Sequence, residues 1–235
     1  MAARRDQNMT TTMILGGASG VGFEVARQFG AHDQGIIVVA RDAAKVKAAV
    51  QALQQDGVTA SGYACDVDDY LAVQDLFQKV TRKTPDLTTL IYNVGNKHLD
   101  NALSSDLATI QASFKTNVLS GIYAARLFLT QTATRGPRAI LFTGGGASVR
   151  PSNKASILSL TKAAQRSYVA TLHEELAPKD VFVGLVTIQG IIDSSPEMQA
   201  AKVATAYWTL YQQRDQGEIF YPEHVGGSEF DRSNG

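Results

Sequence analysis

Apolar positions along the chain fall into two alternating patterns. Short, nearly unbroken apolar runs at Met13–Leu15, Gly35–Ala40, Leu87–Tyr92, Ala139–Thr143 and Val181–Ile188 read as strands buried on both faces of a parallel sheet. Val58–Cys65 and Glu218–Tyr221 complete the set as third and seventh strands. Between them lie stretches with apolar residues at helical spacing, over about 20–30, 42–56, 69–84, 106–134, 153–176 and 200–213. Asp56-Gly57 supplies a C-terminal glycine cap to the second helix, and Pro85 stops the third. Regular alternation of strand and helix predicts one α/β domain over 12–221. Its expected form is a Rossmann-type, doubly wound parallel sheet of about seven strands with helices on both faces. Residues 1–11 read as a disordered extension and 222–235, rich in Gly, Ser and charge, as a loose tail. Ligands of such sheets bind beyond the carboxyl ends of the strands.

The first unit gives that expectation its chemistry. Met13–Leu15 runs into a loop with glycines at 16, 17, 20 and 22, and Val21, Val25, Ala26 and Phe29 then cover one helix face. Strand, glycine turn and helix set a dinucleotide pyrophosphate on a helix N-terminus, where unpaired backbone N–H groups and the helix dipole favour an anion. Gly16 allows the sharp turn, Gly20 removes a side chain where phosphates approach, and Gly22 lets helix and strand pack closely. Ala18, Ser19 and Val21 complete the loop. At the end of the second strand the chain has Ala40-Arg41-Asp42. An acidic residue there would hold ribose hydroxyls and repel a phosphate. A small residue followed by arginine leaves room and charge for a 2′-phosphate, so Arg41 selects NADP(H) over NAD(H). Asp66, after the third strand, is placed to accept from an adenine amino group.

Composition narrows the partners. Lys plus Arg and Asp plus Glu are 22 each, so no net charge points to nucleic acid. No apolar run approaches the ~20 residues that span a bilayer, and Met1–Thr10 lacks the hydrophobic segment of a signal peptide. A lone cysteine, Cys65, fits a reducing compartment, so the expected location is cytoplasmic with no membrane partner. The four histidines show no metal-like spacing.

These motifs, in this order, resemble the short-chain dehydrogenase/reductase family from about residue 12 to 221. Gly16-x-x-x-Gly20-x-Gly22 matches its cofactor loop, with Leu15 where threonine is usual. Cys65-Asp66-Val67 matches its adenine-contact turn, Asn93-Val94-Gly95 its Asn-Ala-Gly motif, and Asn117 the asparagine of its catalytic helix. Thr187-Ile-Gln-Gly190-Ile-Ile-Asp-Ser194 resembles the segment meeting the nicotinamide, giving Gly190, Ile192 and Ser194 cofactor roles, with Gln189 replacing proline. In this family a tyrosine lies four residues before a lysine on one helix. The lysine binds the nicotinamide ribose and the phenol exchanges a proton with substrate. Lys162 matches the lysine, but Leu158 stands where the tyrosine belongs, and the family's serine falls at Gly144 or Gly145.

Leucine and glycine cannot replace those groups. Tyr168 is six residues past Lys162 and should face elsewhere at about 100° per residue. Ser159, three before Lys162, is the nearest hydroxyl on that helix surface, with Thr143, Ser148 and Ser156 further candidates near the strand end. The resemblance thus implies an NADP(H)-dependent oxidoreductase moving a hydride between nicotinamide and a small carbonyl or alcohol, with an altered proton donor. Its expected catalytic set is Asn117, Lys162 and Ser159. A non-catalytic NADP(H)-binding sensor or regulator stays open. The family also implies a homodimer or homotetramer through the long helices at 106–134 and 153–176.

Overall fold

Seven strands, all parallel, form one sheet in the order β3-β2-β1-β4-β5-β6-β7. This computed structural model describes residues 10–32, 34–132 and 136–224. The strands are β1 (Thr11–Leu15), β2 (Gly35–Ala40), β3 (Ala60–Ala64), β4 (Leu87–Tyr92), β5 (Arg138–Gly145), β6 (Val181–Ile188) and β7 (Glu218–Tyr221). Successive strands are added on one side of β1 up to β3 and on its other side from β4 onward, since β1 pairs in parallel with β2 on one side and β4 on the other. That change of side opens a crevice at the carboxyl ends of the two central strands.

The helices are α1 (Gly20–Gly30), α2 (Ala43–Gln55), α3 (Tyr70–Lys83), α4 (Leu107–Phe114), α5 (Ser120–Gln131), α6 (Ser156–Leu176) and α7 (Ala200–Gln213). Asp42, Asp69 and Asp106 cap α2, α3 and α4 by accepting backbone N–H bonds, which fixes where each helix begins. One apolar layer gathers Met13, Leu90, Phe128, Phe142 and Val169 on the α3, α5 and α6 side. The other gathers Ile14, Phe29, Val38, Val203 and Tyr207 on the α1, α2 and α7 side. Alternate residues of β1 therefore enter opposite layers, as the strand period requires. Among the described residues no helix is long and apolar enough to cross a membrane.

Several boundaries differ from expectation for local reasons. Thr11 already belongs to β1, and its N–H bonds Asp86 O, so the strand starts inside the expected extension; residues 1–9 lie outside the described residues. The helical stretch expected over 106–134 is broken by a π turn at Lys115–Leu119 and ends at Gln131, with 133–135 outside the described residues. β5 runs on to Gly145, because pairing with β6 continues to Gly145↔Ile188 and needs only backbone groups. Of the expected tail, Pro222 is tied down through its carbonyl, which accepts from Gln189 Nε2 at 2.9 Å, and residues 225–235 lie outside the described residues.

Phe29 carries the α1–α7 contact. It is fully buried, with Trp208 edge-on at 5.0 Å and Tyr211 at 5.2 Å between ring centroids. Phe29→Ala should lower the free energy of unfolding by about 3–5 kcal/mol, the usual cost of an emptied aromatic site. Urea denaturation measures this, and a loss below ~1 kcal/mol would show that this layer is not packed as described.

Candidate active site

The glycine loop turns where its geometry demands glycine. Gly16 sits at φ 83°, and a Cβ on it would lie 2.6 Å from Asn93 O. A Cβ on Gly22 would lie 2.1 Å from Gly16 O, so helix and loop touch through backbone alone. Gly20 differs, because at φ 55° it faces open space with nothing within 4 Å. Ser19 makes no side-chain cap bond and the first turn of α1 carries no acidic residue. The first N–H groups of α1 therefore have neither an intrahelical partner nor a side-chain acceptor, beside a clear space. Uncapped N–H groups of this kind fit a phosphate. Ala18, half-buried, and Val21, buried, hold the loop against the second apolar layer.

Ends of neighbouring strands supply the rest of the crevice. Arg41 follows β2 with its side chain 78% exposed and Nη1 4.0 Å from Asp66 Oδ2. Asp42 is committed elsewhere, accepting from Ala44 N and Lys45 N as the cap of α2. Asp66 bonds Asp68 N through Oδ1, while Val67 is buried beneath it. Asp68 in turn accepts from Thr116 Oγ1 and Ser120 Oγ, tying this turn to the π turn.

Asn93, Thr143 and Lys162 form the centre. Asn93 Nδ2 donates to Gly16 O at 3.1 Å, and its Oδ1 accepts from Thr143 Oγ1 at 2.8 Å. Because Thr143 has one hydroxyl proton and spends it on Asn93, Tyr207 must donate to Thr143 Oγ1 across their 2.7 Å contact. Tyr207 is fully buried, and burial raises its phenol well above the usual tyrosine range. It lies behind the strand end and serves Thr143. Lys162 Nζ donates to Thr143 O at 2.7 Å and to Gln165 Oε1 at 3.0 Å. Its side chain is 7% exposed, and burial, then the nearby Lys97 charge, lowers its pKa to about 8.

Asn117 lies inside the π turn, a helix irregularity common at functional sites. Its Oδ1 accepts from Asn96 N at 2.6 Å, and Nδ2 donates to Asn96 O and Thr161 Oγ1. The side chain thereby fixes the loop that follows β4. A Cβ on Gly95 would lie 3.7 Å from Asn117 Oδ1 and 3.8 Å from Lys162 Nζ, so one small space touches both. Val94, half-buried, packs against the first apolar layer.

Other expected groups are placed differently. Ser159, expected at the reacting centre, is buried, donates to Ala155 O at 2.8 Å and accepts from Ser152 N at 3.1 Å. Its hydroxyl thus secures the start of α6. Leu158 is half-buried one turn before Lys162 and offers no polar atom. A Cβ at Gly144 would meet Thr187 Oγ1 at 2.6 Å, whereas one at Gly145 would rest 3.7 Å from Lys162 Cγ. Gly145 is therefore the position where a side chain would face the lysine. Tyr168 packs edge-on against Phe142 in the core, away from Lys162. Gly190 packs against Met198, Ile192 is half-buried, and Ser194 Oγ donates to Ile191 O at 2.6 Å, closing a tight turn at the crevice edge. Sequence reasoning missed Gln165 and Tyr207, which stabilise the lysine and the threonine. A glutamine at i+3 from the lysine is a readable signal for the first.

Burial of the lysine makes stability depend on pH. Its pKa falls from 10.5 in the unfolded chain to about 8 in the fold, so between these values the unfolded state binds more protons. Stability then rises with pH across that window, and the penalty is fully present below pH 8. Relative to Lys162→Met, wild type should gain roughly 2–3 kcal/mol of unfolding free energy from pH 7.5 to pH 10. Guanidinium denaturation at both pH values reads this, and an unchanged difference would mean that the lysine is not held charged and dry.

Comparison with known proteins agrees with the geometry. A family model described as short chain dehydrogenase matches residues 10–205. The chlorophyll(ide) b reductase NOL of Arabidopsis thaliana is 27% identical over 72% of this chain and 50% of its own length. Galactitol 2-dehydrogenase (L-tagatose-forming) of Cereibacter sphaeroides is 29% identical over 72% of this chain and 66% of its own. The chain thus spans between half and two thirds of these two relatives. Among solved structures, an NADPH-bound short chain oxidoreductase from Pseudomonas aeruginosa, described as containing an atypical catalytic center, superposes with TM-score 0.83. It shares 21% identity, covering 90% of this chain and 94% of that one. A Burkholderia phymatum short chain dehydrogenase/reductase in complex with NAD superposes equally well, at TM-score 0.83 and 18% identity over 91% and 89% of the two chains. The parallel seven-stranded sheet, the glycine loop at its crevice and the matched model over 10–205 together make this chain a member of the short chain dehydrogenase family.

Proposed function

We propose that the protein is an NADP(H)-dependent oxidoreductase acting on a small carbonyl or alcohol, with a proton donor other than tyrosine. The observation that carries this reading is the uncapped N-terminus of α1 beside the open face of Gly20, at the same crevice as Lys162. When bound, the nicotinamide supplies or takes the hydride. The chain's residues would bind and orient it: backbone N–H groups of residues 20–22 on the pyrophosphate, Asp66 and Val67 at the adenine, and Asn93, Val94, Gly95, Gly190, Ile192 and Ser194 along the nicotinamide half. Lys162 would hold the nicotinamide ribose from below, turning to it the proton it gives to Thr143 O in the free protein.

Arg41 supports NADP(H) over NAD(H). Its guanidinium is open to a 2′-phosphate, and the adjacent carboxylate that would repel one is occupied in capping α2. Exposed Leu107, Leu119 and Leu160, carried by α4, the π turn and α6, support pairing of two copies through these helices. The competing reading, a non-catalytic NADP(H)-binding sensor, rests on Leu158, Gly145 and the structural engagement of Ser159. It predicts the same cofactor binding without hydride transfer.

Titration calorimetry should give a micromolar Kd for NADPH and at least tenfold weaker binding of NADH, a gap of about 1.4 kcal/mol or more. Arg41→Ala should erase most of that gap while leaving NADH binding unchanged. Equal affinities for the two cofactors in wild type would contradict the role of Arg41. Turnover of a panel of aldehydes and ketones with NADPH then separates the enzyme from the sensor.

A further inference from the structure

Nothing polar stands at position 158 or 145, yet an ammonium is held at the base of the crevice by two acceptors of fixed geometry. Those bonds use two of its three protons. Nζ also lies 3.8 Å from where a Cβ on Gly95 would stand, a point that Asn117 Oδ1 borders as well at 3.7 Å, which leaves the third proton for a ligand there. A Cβ at Gly145 would rest against the lysine stem, 3.7 Å from Cγ and 4.0 Å from Cδ. Gln165 adds an independent observation. It is 2% exposed, gives Oε1 to Lys162, and keeps Nε2 buried with no partner. An ammonium needs an acceptor, and a neutral amine needs a donor. A carboxamide supplies either one by turning over about its last torsion. Gln165 can therefore stabilise Lys162 in both protonation states, which a purely structural lysine would not require.

Resting on the oxidoreductase reading above, we infer that Lys162 is itself the proton donor to the substrate oxygen and that Gln165 is its positioning residue. In the reductive direction the carbonyl carbon takes a hydride from the dihydronicotinamide and its oxygen takes the proton of Lys162 Nζ. One N–H bond breaks and one O–H bond forms. The neutral amine turns to Gln165 Nε2 and regains a proton from solvent. Alcohol oxidation runs the same transfers backward, with the neutral amine as base. The titratable groups near the lysine are Lys97, exposed on the loop after β4 and felt through its charge, and Tyr207 behind Thr143. One turn further along α6, Arg166 is paired with Glu218.

The test joins two readouts on the same variants. In protein carrying 13Cε-labelled lysine, the Lys162 resonance, identified by its loss in Lys162→Arg, should titrate near pH 8 without any substrate. NADPH-dependent carbonyl reduction should fall along an alkaline limb at the same pH. Gln165→Glu, which places a carboxylate beside the ammonium, should move both upward by about one pH unit or more, and Gln165→Leu should move both downward. Lys162→Arg keeps the charge but holds its proton, so reduction should drop at least about a hundredfold while NADPH affinity stays within a few-fold. A resonance that shifts in either glutamine variant while the rate limb stays fixed overturns the proton-donor role and leaves the oxidoreductase reading intact. Protein that binds NADPH but reduces no carbonyl overturns both, in favour of the sensor.

Discussion

One threonine at the carboxyl end of β5 joins the parts of this crevice. The Thr143 hydroxyl donates to Asn93, which reaches across β4 to the carbonyl of Gly16, and accepts from Tyr207 on α7. Its backbone carbonyl holds the ammonium of Lys162 on α6. Glycine loop, central strands and the helices of both layers thus meet at one residue. Each bond is partly buried, and an unmade partner costs up to ~1–3 kcal/mol where burial is complete, so the members constrain one another. Asn117 does the same for the loop after β4, and Asp68 ties the turn after β3 to the π turn that carries Asn117. The crevice is preorganised by side chains that never need to touch a ligand.

The alternation of apolar runs and amphipathic stretches was enough to read the fold, because the five inner strands β1, β2, β4, β5 and β6 are buried along nearly their whole length. Caps at Asp42, Asp69 and Asp106 left readable signatures at the helix starts. The π turn left none, since its extra residue is accommodated by distant contacts, Tyr92 to Thr116 O and Asn117 to Asn96. The glycine loop was legible in detail, as the clashes at Gly16 and Gly22 follow from the turn itself. Ser159 shows the limit of helix-surface adjacency. It does neighbour Lys162, but its bonds to Ala155 and Ser152 depend on how the preceding loop folds back. Gln165 was passed over because its polarity matters only once the lysine is known to be buried.

What distinguishes this chain is a glycine-loop crevice whose buried lysine has leucine at 158 and glycine at 144 and 145 for neighbours. Leu158, Gly144 and Gly145 remove the groups that the family resemblance leads one to expect, while Lys162 and its acceptors stay. Burying a charge costs several kcal/mol unless it is well paired. An ammonium kept there with a glutamine able to serve either protonation state is therefore most simply understood as a group that works at the site.

The central claim is that the crevice holds NADP(H) with the lysine at its reactive end. A crystal structure with NADPH tests it most directly. The account predicts phosphate oxygens within about 3 Å of the N–H groups of residues 20–22, the 2′-phosphate against Arg41, and the nicotinamide above Gly95 beside Lys162 Nζ. Nucleotide bound elsewhere on the molecule, or an empty crevice at saturating NADPH, would contradict it.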